Sequence, residues 1–435
     1  MNNMMSHRYF STRRAQMIKQ VAKGMQITKA YESFILSIII IGTFALSALT
    51  APMSNSATIR SSGTIATIMP LHVEGKNVKD SLGRVVLLRG MNSGVAFADH
   101  PNGWWNPEGG TWLSGFGVWD PSAVKYNLDM MKNWGCNIVR LHTVIEWWLK
   151  NTNNYRQHIK DTIGWAGERG LYVVFEPAFV RGGYGNACQF ELPYYPYLIY
   201  ENRSNEEEDV AVMPNRAAFI NYWVSVVSEL KYYPNVLFEV YNEPHGNNTI
   251  KEEFFEMVQE WINAVRDNGA TQILIVQWGY GIAVNLDCPP PCGIDARMNW
   301  VEDYPLNDPL NNLIYSFHIY RGEIHRTYPE YSKCWTYEDM KLGFQLCLVD
   351  YVLNNLSKPV MCGEIGANMW ETGEELGREL AWLNNTLMIF NEWGINYLYY
   401  SWTIPAHMRH GCLSNGYPWL PPPNEAGKVF INSLA

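Results

Sequence analysis

The sequence predicts a (β/α)8 barrel, the TIM-barrel fold, for most of its length. From about residue 71 onward, eight short runs rich in β-forming residues alternate with longer helical patterns, as in a parallel sheet with crossover helices. A barrel of ~250 residues with insertions fits a single domain within 435 residues, and 47% apolar residues suffice for its core. The sequence contains no internal repeat and no linker to a second folded domain.

The predicted elements follow one another in regular order. The strands are predicted at residues 84–91, 137–142, 171–176, 236–242, 272–277, 312–318, 359–364 and 395–402. The helices are predicted at residues 121–134, 155–169, 215–233, 250–267, 337–355 and 374–393. Asp120 and Pro121 form a good helix start, because aspartate caps well and proline suits the first helical position. An extended loop follows the first strand, and a loop with cysteine and proline replaces the helix after the fifth.

Residues 1–53 are predicted to be a targeting segment outside the fold. Six basic residues precede the first acidic residue, Glu32, and residues 34–49 form an uncharged apolar run of 16 residues. This order is typical of an export signal. Because the run is slightly shorter than the ~20 residues of a bilayer span, a cleaved signal peptide and a membrane anchor both remain open. Residues 54–70 are interpreted as a Ser/Thr-rich linker and residues 71–435 as the barrel. From the targeting segment we expect a secreted or extracellular protein, which is anchored to a membrane if residues 34–49 are retained.

The composition narrows the class of function. A net charge of −9 argues against nucleic acid as a partner. The 18 Trp and 26 Tyr residues supply many flat rings, which suit a surface that stacks on sugars. No His/Cys cluster has the spacing of a zinc site, so we expect no structural metal and no cofactor.

Eight cysteines fit an exported protein in which disulfides can form. Their pairing stays open, since eight cysteines allow 105 connectivities. Cys136 and Cys362 lie in strand-like runs and are expected to be buried thiols. The candidate bridges are Cys288–Cys292, whose thiols could also find distant partners, and Cys334–Cys347.

If the strands close into a barrel, their carboxyl ends meet at one mouth, where catalytic groups of this fold gather. Asn242-Glu243-Pro244 is the clearest such end, because proline stops the buried run that starts at Val236. Polar or aromatic residues follow all eight strands, whereas a solvated rim would favour Lys, Ser and Gly. They are Asn92, Arg140, His142, Glu176, Asn242, Glu243, Gln277, Trp278, His318, Tyr320, Glu364, Ser401 and Trp402.

Two of these residues, Glu243 on the fourth strand and Glu364 on the seventh, come from nearly opposite sides of the predicted mouth. Paired carboxylates without a set of metal ligands suit glycoside cleavage, in which one protonates the leaving oxygen and the other attacks the anomeric carbon. A separation of ~5–5.5 Å would indicate retention of anomeric configuration, and ~6.5–9.5 Å inversion.

Six short motifs give the sequence a family resemblance. They are Leu88-Arg89-Gly90-Met91-Asn92, Val139-Arg140, Asn242-Glu243-Pro244, His318-Ile319-Tyr320, Gly363-Glu364-Ile365-Gly366 and Ser401-Trp402. In order and strand position they resemble glycoside hydrolase family five, which comprises retaining cellulases and mannanases on a TIM barrel. The resemblance covers residues from about 71 to the C-terminus.

The resemblance implies a role for each matching residue. Glu243 resembles the acid/base and Glu364 the nucleophile, while Asn242 would hold the sugar 2-hydroxyl. Arg140 would keep Glu364 ionised, and Tyr320 would donate a hydrogen bond to Glu364. His318 would lie beside Glu243 and tune its proton, and Trp402 would form the floor under the reacting sugar.

The third strand departs from the family pattern. Many members place a histidine at its end, whereas this chain has Glu176-Pro177-Ala178. His142 is our candidate for that space, with a purely structural histidine as the alternative. Glu176 either takes another role at the site or pairs with Arg181.

Several aromatic residues are candidates for the walls of a cleft, with packing on the barrel as the alternative for each. One group lies in the long loop at 94–120, part of which is expected to line the glycone side: Trp104, Trp105, Trp112 and Trp119. The others are Trp147, Trp148, Trp278, Tyr280 and Trp300.

We therefore predict an endo-acting, retaining β-1,4-glucanase that acts as a monomer on a β-linked polysaccharide. A β-mannanase is the alternative within the family. From other classes, the alternatives are an inactive sugar-binding barrel and a metal-dependent hydrolase using His142, Glu176 and His318, although no H-x-H or D-x-H pair supports the latter.

Overall fold

Eight parallel strands form a closed barrel, which confirms the predicted fold. The computed structural model describes residues 68–93, 119–181, 191–198, 210–279, 281–282, 297–321, 335–403, 411–413 and 422–435. These residues belong to a compact unit that spans Thr64–Ala435. The barrel strands are β3 (Arg89–Asn92), β4 (Ile138–Val144), β5 (Tyr172–Phe179), β6 (Val236–Glu239), β7 (Leu274–Gln277), β8 (Leu313–Ile319), β9 (Val360–Ile365) and β10 (Asn396–Tyr399), and β10 closes the barrel against β3.

Helices surround the barrel at the predicted positions and at several others. They are α1 (Pro121–Trp134), α2 (Ile145–Lys150), α3 (Tyr155–Glu168), α4 (Arg216–Leu230), α5 (Asn248–Asp267), α6 (Trp300–Asp303), α7 (Tyr337–Leu346), α8 (Val349–Asn354), α9 (Gly373–Trp393) and α10 (Glu425–Leu434), with a 3₁₀ turn at Thr152–Asn154. The helix predicted at 337–355 is two helices, because Leu348 has a left-handed backbone (φ 64°) between them. Among the described residues, no helix is both long and apolar enough to cross a bilayer.

A short antiparallel hairpin, β1 (Leu71–Glu74) and β2 (Asn77–Asp80), precedes the barrel and was not predicted. Leu71 and Val78 from the hairpin are buried with Leu88 against the apolar residues inside the barrel. The hairpin therefore covers the amino-terminal end of the strands, the end opposite the predicted site.

The inside of the barrel is apolar at one end and polar at the other. Side chains alternate along a strand, so that every second residue points inward. On β4 the inward series is Ile138, Arg140 and His142, and on β6 it is Leu237 and Glu239. The apolar members, which pack together at the centre, also include Tyr172, Val174, Ile273, Ile275, Ile314, Met361 and Leu398. This packed layer supports the polar residues at the carboxyl ends of the strands.

The structure describes some of the cysteines that were predicted to be buried thiols or to form disulfide bridges. Cys136 and Cys362 are buried thiols, as predicted, and Cys412 is a third. Cys347 is buried, and Cys288, Cys292 and Cys334 lie outside the described residues, so both bridges stay predictions.

Loss of the cap at Asp120 is expected to lower stability modestly. The Asp120 carboxylate accepts hydrogen bonds from the amides of Ser122 (2.8 Å) and Ala123 (3.3 Å) at the start of α1. Substitution Asp120→Ala should lower the free energy of unfolding by ~1 kcal/mol, seen as a fall of about 2 °C in Tm. Asp120→Asn keeps a capping oxygen and is the matched control. Equal losses in both variants would contradict the assignment of the cap.

Candidate active site

The structure brings together the two glutamates that the sequence separates by more than a hundred residues. Glu243 follows β6, and Glu364 lies on β9. One oxygen from each carboxyl group and a ring nitrogen of His318 all lie within 4.8 Å of one another. All three side chains are buried, with 4% of Glu243 and 5% of Glu364 exposed. The pair predicted from strand ends therefore forms one cluster at the barrel mouth.

Arg140 is the cation at the centre of this cluster. It is fully buried on β4 and donates to Glu364 Oε1 from Nη1 at 2.7 Å. Its Nε and Nη2 donate to the two oxygens of Glu239, at 2.6 and 3.1 Å. Burial alone would lower the pKa of Arg140, but the surrounding carboxylates, Glu239 foremost, raise it well above its usual value. The guanidinium is thus a permanent positive charge shared between a structural carboxylate and the predicted nucleophile.

Two asparagines complete the coordination of Arg140. Asn92 Oδ1 accepts from Nη1 at 3.1 Å and Asn242 Oδ1 accepts from Nη2 at 2.9 Å. Asn92 Nδ2 in turn donates to the carbonyl of Gly363 at 2.9 Å, next to Glu364. Because its oxygen faces Arg140, Asn242 directs its amide nitrogen elsewhere, where it is available to donate to a bound molecule.

Glu364 has the hydrogen-bond donors expected of an ionised carboxylate. The Tyr320 hydroxyl donates to Oε2, and Arg140 donates to Oε1. Burial raises the pKa of Glu364, and Arg140, His142 and the Tyr320 hydrogen bond oppose that rise. Donors at both oxygens stabilise the charged form, which a nucleophile needs.

Glu243 sits in a different environment from Glu364. Its Oε1 lies 2.6 Å from His318 Nδ1. Burial, followed by the nearby charge of Arg140, lowers the pKa of His318 well below its usual value, so this imidazole is neutral. Glu243 therefore has a neutral partner, whereas Glu364 has a cationic one.

The backbone around these two residues is specialised. Glu243 has a left-handed conformation (φ 48°), which is uncommon for a residue other than glycine and costs of order 1 kcal/mol. Its amide donates to Gln277 Oε1 at 3.4 Å. A Cβ at Gly363 would lie 2.8 Å from His318 Nε2, so glycine is needed beside Glu364 for the histidine ring to fit.

His142 and Glu176 form a second buried pair beside the nucleophile. The strands β4 and β5 place them directly opposite one another. His142 Nδ1 lies 2.8 Å from Glu176 Oε2, and His142 Nε2 lies 3.9 Å from Glu364 Oε1. The ion contacts of Glu176 are to Arg140 and His142 and not to Arg181, as had been suggested; Arg181 Nε lies 3.7 Å from Glu146 Oε2. His142 does lie at the site, where the sequence had suggested it as a substitute for the histidine missing from the third strand.

Two predicted aromatic contacts to substrate do not match the structure. Trp402 is fully buried, donates from Nε1 to Asn127 Oδ1 at 3.0 Å, and packs edge-on against Trp134 of α1. Trp278 is 4% exposed and packs against Phe254 of α5, 5.2 Å between ring centres. Trp278 lies three residues after the inward-facing Ile275, so strand alternation places it on the outer face, whereas Trp402 lies three residues beyond the end of β10, where strand alternation no longer applies.

Tyr400 is the aromatic residue that lies at the site instead. Its ring centre is 5.7 Å from that of His142 and 6.2 Å from that of Tyr320, with near-perpendicular planes in both cases. It remains partly exposed, unlike Trp402. The sequence held a signal for it, since Tyr400 lies two residues beyond the inward-facing Leu398.

Glu239 is the other site residue that the sequence analysis missed. It follows the inward-facing Leu237 by two residues, so strand alternation would have placed it inside the barrel. The prediction considered strand ends, which gave Asn242 and Glu243. Glu239 lies deeper in the barrel, is 1% exposed, and holds Arg140 in place.

The other aromatic candidates pack in the outer layer where they are described. Trp119 stacks on His158 at 4.0 Å, Trp148 packs against Phe175, and Trp300 stacks on Phe255. Trp147 is likewise buried, edge-on to Tyr155. Trp104, Trp105, Trp112 and Tyr280 lie outside the described residues.

Among the described residues, Glu243, His318 and Glu364 form the group with the composition and spacing of metal ligands. His142 and Glu176 do not belong to this group, although the metal hypothesis named them. Ligands about 2.0–2.2 Å from a tetrahedral metal lie roughly 3.3–3.5 Å apart, so binding at Glu243 Oε1 and His318 Nδ1 would require their 2.6 Å contact to open. The hydrogen-bonded arrangement suits proton transfer better than metal ligation.

The barrel and this pair of carboxyl groups define a class of protein. One carboxyl group is held ionised by donors, and the other lies against a neutral imidazole. Such a pair performs acid-assisted displacement at an anomeric carbon, the reaction of TIM-barrel glycoside hydrolases.

The chain belongs to glycosyl hydrolase family 5. The family model described as "Cellulase (glycosyl hydrolase family 5)" matches residues 104–405, more than half of the chain. This confirms the resemblance drawn from the sequence motifs.

Individual relatives agree with this assignment. An endoglucanase from Clostridium saccharobutylicum is 21% identical over 258 residues, which are 58% of this chain and 43% of the relative, so the chain spans less than half of that protein. A hyperthermophilic endocellulase from the archaeon Pyrococcus horikoshii has a TM-score of 0.60 at 18% identity, covering 85% of this chain and 99% of the other. A β-glucanase from Saccharophagus degradans gives 0.60 at 16% identity, covering 88% and 97%. At these identities the structural likeness establishes the fold.

Proposed function

We propose that the protein is an endo-acting β-1,4-glucanase that hydrolyses its substrate with retention of anomeric configuration. The observation that carries the proposal is the approach of Glu243 and Glu364, with one oxygen of each within 4.8 Å. That spacing suits the ~5–5.5 Å of retaining enzymes better than the ~6.5–9.5 Å at which inverting enzymes place a water between the carboxyl groups.

In the first step, ionised Glu364 attacks the anomeric carbon while Glu243 gives its proton to the departing glycosidic oxygen. The bond from the anomeric carbon to that oxygen breaks, and a glycosyl ester forms on Glu364. The Glu243 carboxylate left behind is 2.6 Å from His318 Nδ1, which can donate a hydrogen bond to it from the neutral ring.

In the second step, Glu243 acts as a base. It takes a proton from water, whose oxygen attacks the anomeric carbon and releases Glu364. The returning negative charge on Glu364 is received by Arg140 and Tyr320, which are already in place. Two displacements at the same carbon give net retention.

Substrate orientation is assigned to Asn242 and Tyr400. Asn242 has a free amide nitrogen near Glu364 and is the proposed donor to the sugar 2-hydroxyl, while the partly exposed ring of Tyr400 replaces Trp402 as the proposed surface under the reacting sugar. Tryptophan and tyrosine faces both suit the C–H groups of a pyranose.

The preference for glucan over mannan rests on the named relatives, which are an endoglucanase, endocellulases and a β-glucanase. One structural neighbour was determined in complex with cellotetraose. Assays on carboxymethylcellulose and on mannan decide the matter, and cleavage of mannan alone would establish the alternative. A rapid fall in viscosity relative to released reducing ends would show endo action, and proton NMR of the first products would show the retained anomer.

Export is part of the same proposal and rests on residues 1–53, with their basic segment and apolar run at 34–49. The enzyme would act outside the cell on a polymer too large to enter. Fractionation of the native host, with N-terminal sequencing of the mature protein, would distinguish a cleaved signal from an anchor.

Replacement of the acid, Glu243→Gln, is expected to reduce kcat on cello-oligosaccharides by ~10³-fold, because these substrates need a proton on the leaving oxygen. With 2,4-dinitrophenyl β-cellobioside, whose leaving group needs no proton, the first step should continue. Hydrolysis of the glycosyl ester should then be slow, so that mass spectrometry detects the ester on the protein.

Glu260→Gln on α5 is the matched control, since Glu260 has a half-exposed side chain on an outer helix. It should behave as wild type on both substrates. Equal losses of Glu243→Gln on both substrates, without accumulated ester, would contradict the role of Glu243.

A further inference from the structure

We propose that Glu176 is a positioning residue that works as a neutral carboxylic acid, holding His142 in the tautomer whose Nε2–H faces the nucleophile Glu364. The inference rests on the proposed function, because it assigns a further role at the same site. It also accounts for the departure of the third strand from the family pattern.

The first argument is the burial of Glu176 without a hydrogen-bond donor. The side chain is fully buried on β5. Neither oxygen has an aligned hydrogen bond, although His142 Nδ1 is 2.8 Å away. An ionised carboxylate in such a place would lack the donors that stabilise its charge, whereas a carboxylic acid loses far less on burial.

The second argument is the balance of charge around Arg140. Glu239 and Glu364 each accept from the guanidinium at 2.6 to 2.7 Å, whereas the closest approach of Glu176 is 3.7 Å, to Nη2. One cation already serves two carboxylates. A third ionised carboxylate would add an uncompensated buried charge, and a proton on Glu176 removes it.

The charged and titratable groups around Glu176 come from four elements. They are Arg140 and His142 on β4, Glu239 on β6, Glu364 on β9 and the Tyr222 hydroxyl on α4. Burial raises the pKa of Glu176 to about 7, with Arg140 opposing. Burial lowers the pKa of His142 to about 4, so the imidazole is neutral at neutral pH.

The third argument links the proton on Glu176 to the tautomer of His142. A neutral imidazole carries one proton, so one nitrogen donates and the other accepts. If Glu176 is protonated, its hydroxyl can donate to His142 Nδ1, and the ring proton then lies on Nε2. His142 Nε2 is buried without a hydrogen-bond partner and is 3.9 Å from Glu364 Oε1. If Glu176 is ionised, the ring proton moves to Nδ1 and a lone pair faces the Glu364 carboxylate.

Ionisation of Glu176 should therefore impair the reaction in two ways. It turns a donor facing the nucleophile into an acceptor. It also places a third negative charge 3.7 Å from Arg140, where it competes with Glu364 and Asn242 for the guanidinium. The neutral form is the active form.

The test is the pH profile of kcat/KM with 2,4-dinitrophenyl β-cellobioside, which needs no proton from Glu243 and so removes that residue's ionisation from the profile. Wild-type kcat/KM should fall above about pH 7 as Glu176 ionises. Glu176→Gln, which stays neutral and can still donate to Nδ1, should match wild type within about threefold at pH 5 and lose the alkaline fall. Glu176→Ala should lose about tenfold or more at every pH, because His142 is no longer held.

Glu229→Gln on α4 is the matched control, because Glu229 pairs with Arg156 and Lys160 on the outer face. It should keep the wild-type profile. The proposal is overturned if Glu176→Gln keeps the wild-type alkaline fall, or if it loses as much as Glu176→Ala at pH 5.

A second measurement separates this inference from the proposed function. In protein with ¹⁵N-labelled histidine, the His142 signals, identified with His142→Ala, should change from the Nε2–H to the Nδ1–H tautomer with rising pH in wild type but not in Glu176→Gln. A chain that fails to cleave the cellobioside but shows this change refutes the glucanase proposal alone. A single His142 tautomer throughout refutes the role of Glu176, whatever the substrate.

Discussion

Replacement of Glu364 by alanine is expected to reduce kcat on every glycoside substrate by at least ~10⁴-fold, equivalent to about 5 kcal/mol of transition-state stabilisation. Glu364 supplies the electron pair that forms the new bond, and neither Arg140 nor Tyr320 can replace it. A good leaving group does not help, since the missing group is the nucleophile. This insensitivity distinguishes Glu364→Ala from the acid variant Glu243→Gln.

Added azide provides the decisive measurement on this variant. In the space left by the carboxylate of Glu364, azide can attack 2,4-dinitrophenyl β-cellobioside directly and give the α-glycosyl azide, a single displacement with inversion. Glu374→Ala on α9 is the matched control, because the Glu374 side chain is 82% exposed and pairs with Arg378 at the surface. Activity of Glu364→Ala above about 1% of wild type without azide would contradict the assignment.

The second large effect is expected on stability, from Arg140→Met. Removal of one partner from a buried ion pair costs about 3–5 kcal/mol, because the remaining charge is buried without compensation. Here two carboxylates, Glu239 and Glu364, lose their cation at once. The variant should also be nearly inactive, since Asn242 and Glu364 lose the group that orients them.

The loss should depend on pH. Without Arg140, burial leaves the folded-state pKa of Glu239 and Glu364 above the unfolded value, so ionisation favours the unfolded chain. Below about pH 4.3, the pKa of glutamate in the unfolded chain, these carboxyl groups are protonated in both the folded and the unfolded protein, so the destabilisation caused by their buried charge disappears. Urea unfolding should therefore show a larger deficit at pH 8 than at pH 4.5.

Two further variants test the cause of this loss. Adding Glu239→Gln to Arg140→Met removes one orphaned carboxylate and should restore part of the stability, a coupling measured by the double-mutant cycle. Arg169→Met breaks an ion pair with the half-exposed Asp129 and should cost no more than about 1 kcal/mol. A deficit in Arg140→Met independent of pH and unrelieved by Glu239→Gln would point to lost packing instead.

The sequence by itself determined the barrel, the two glutamates and most of their partners. Each strand is a local signal, a short β-forming run that ends in a polar or aromatic residue, and strand ends of a parallel barrel meet at one mouth. Glu243, Glu364, Arg140, Asn242, His318 and Tyr320 could therefore be placed at one site, and the family match agrees with the motifs that carry them.

The tertiary structure decided which side chains point inward and which residues meet. A shift of one residue along a strand exchanges its two faces, so Trp278 was assigned to the cleft although it packs against α5. Trp402 was assigned there too, but it lies beyond the end of β10 and packs against α1. Strand register, set by pairing with neighbours distant in sequence, is what places His142 opposite Glu176. Closure of the barrel adds Glu239 beneath Arg140, so that one cation serves several buried carboxyl groups. Their charges depend on these distances, which no local pattern in the sequence contains.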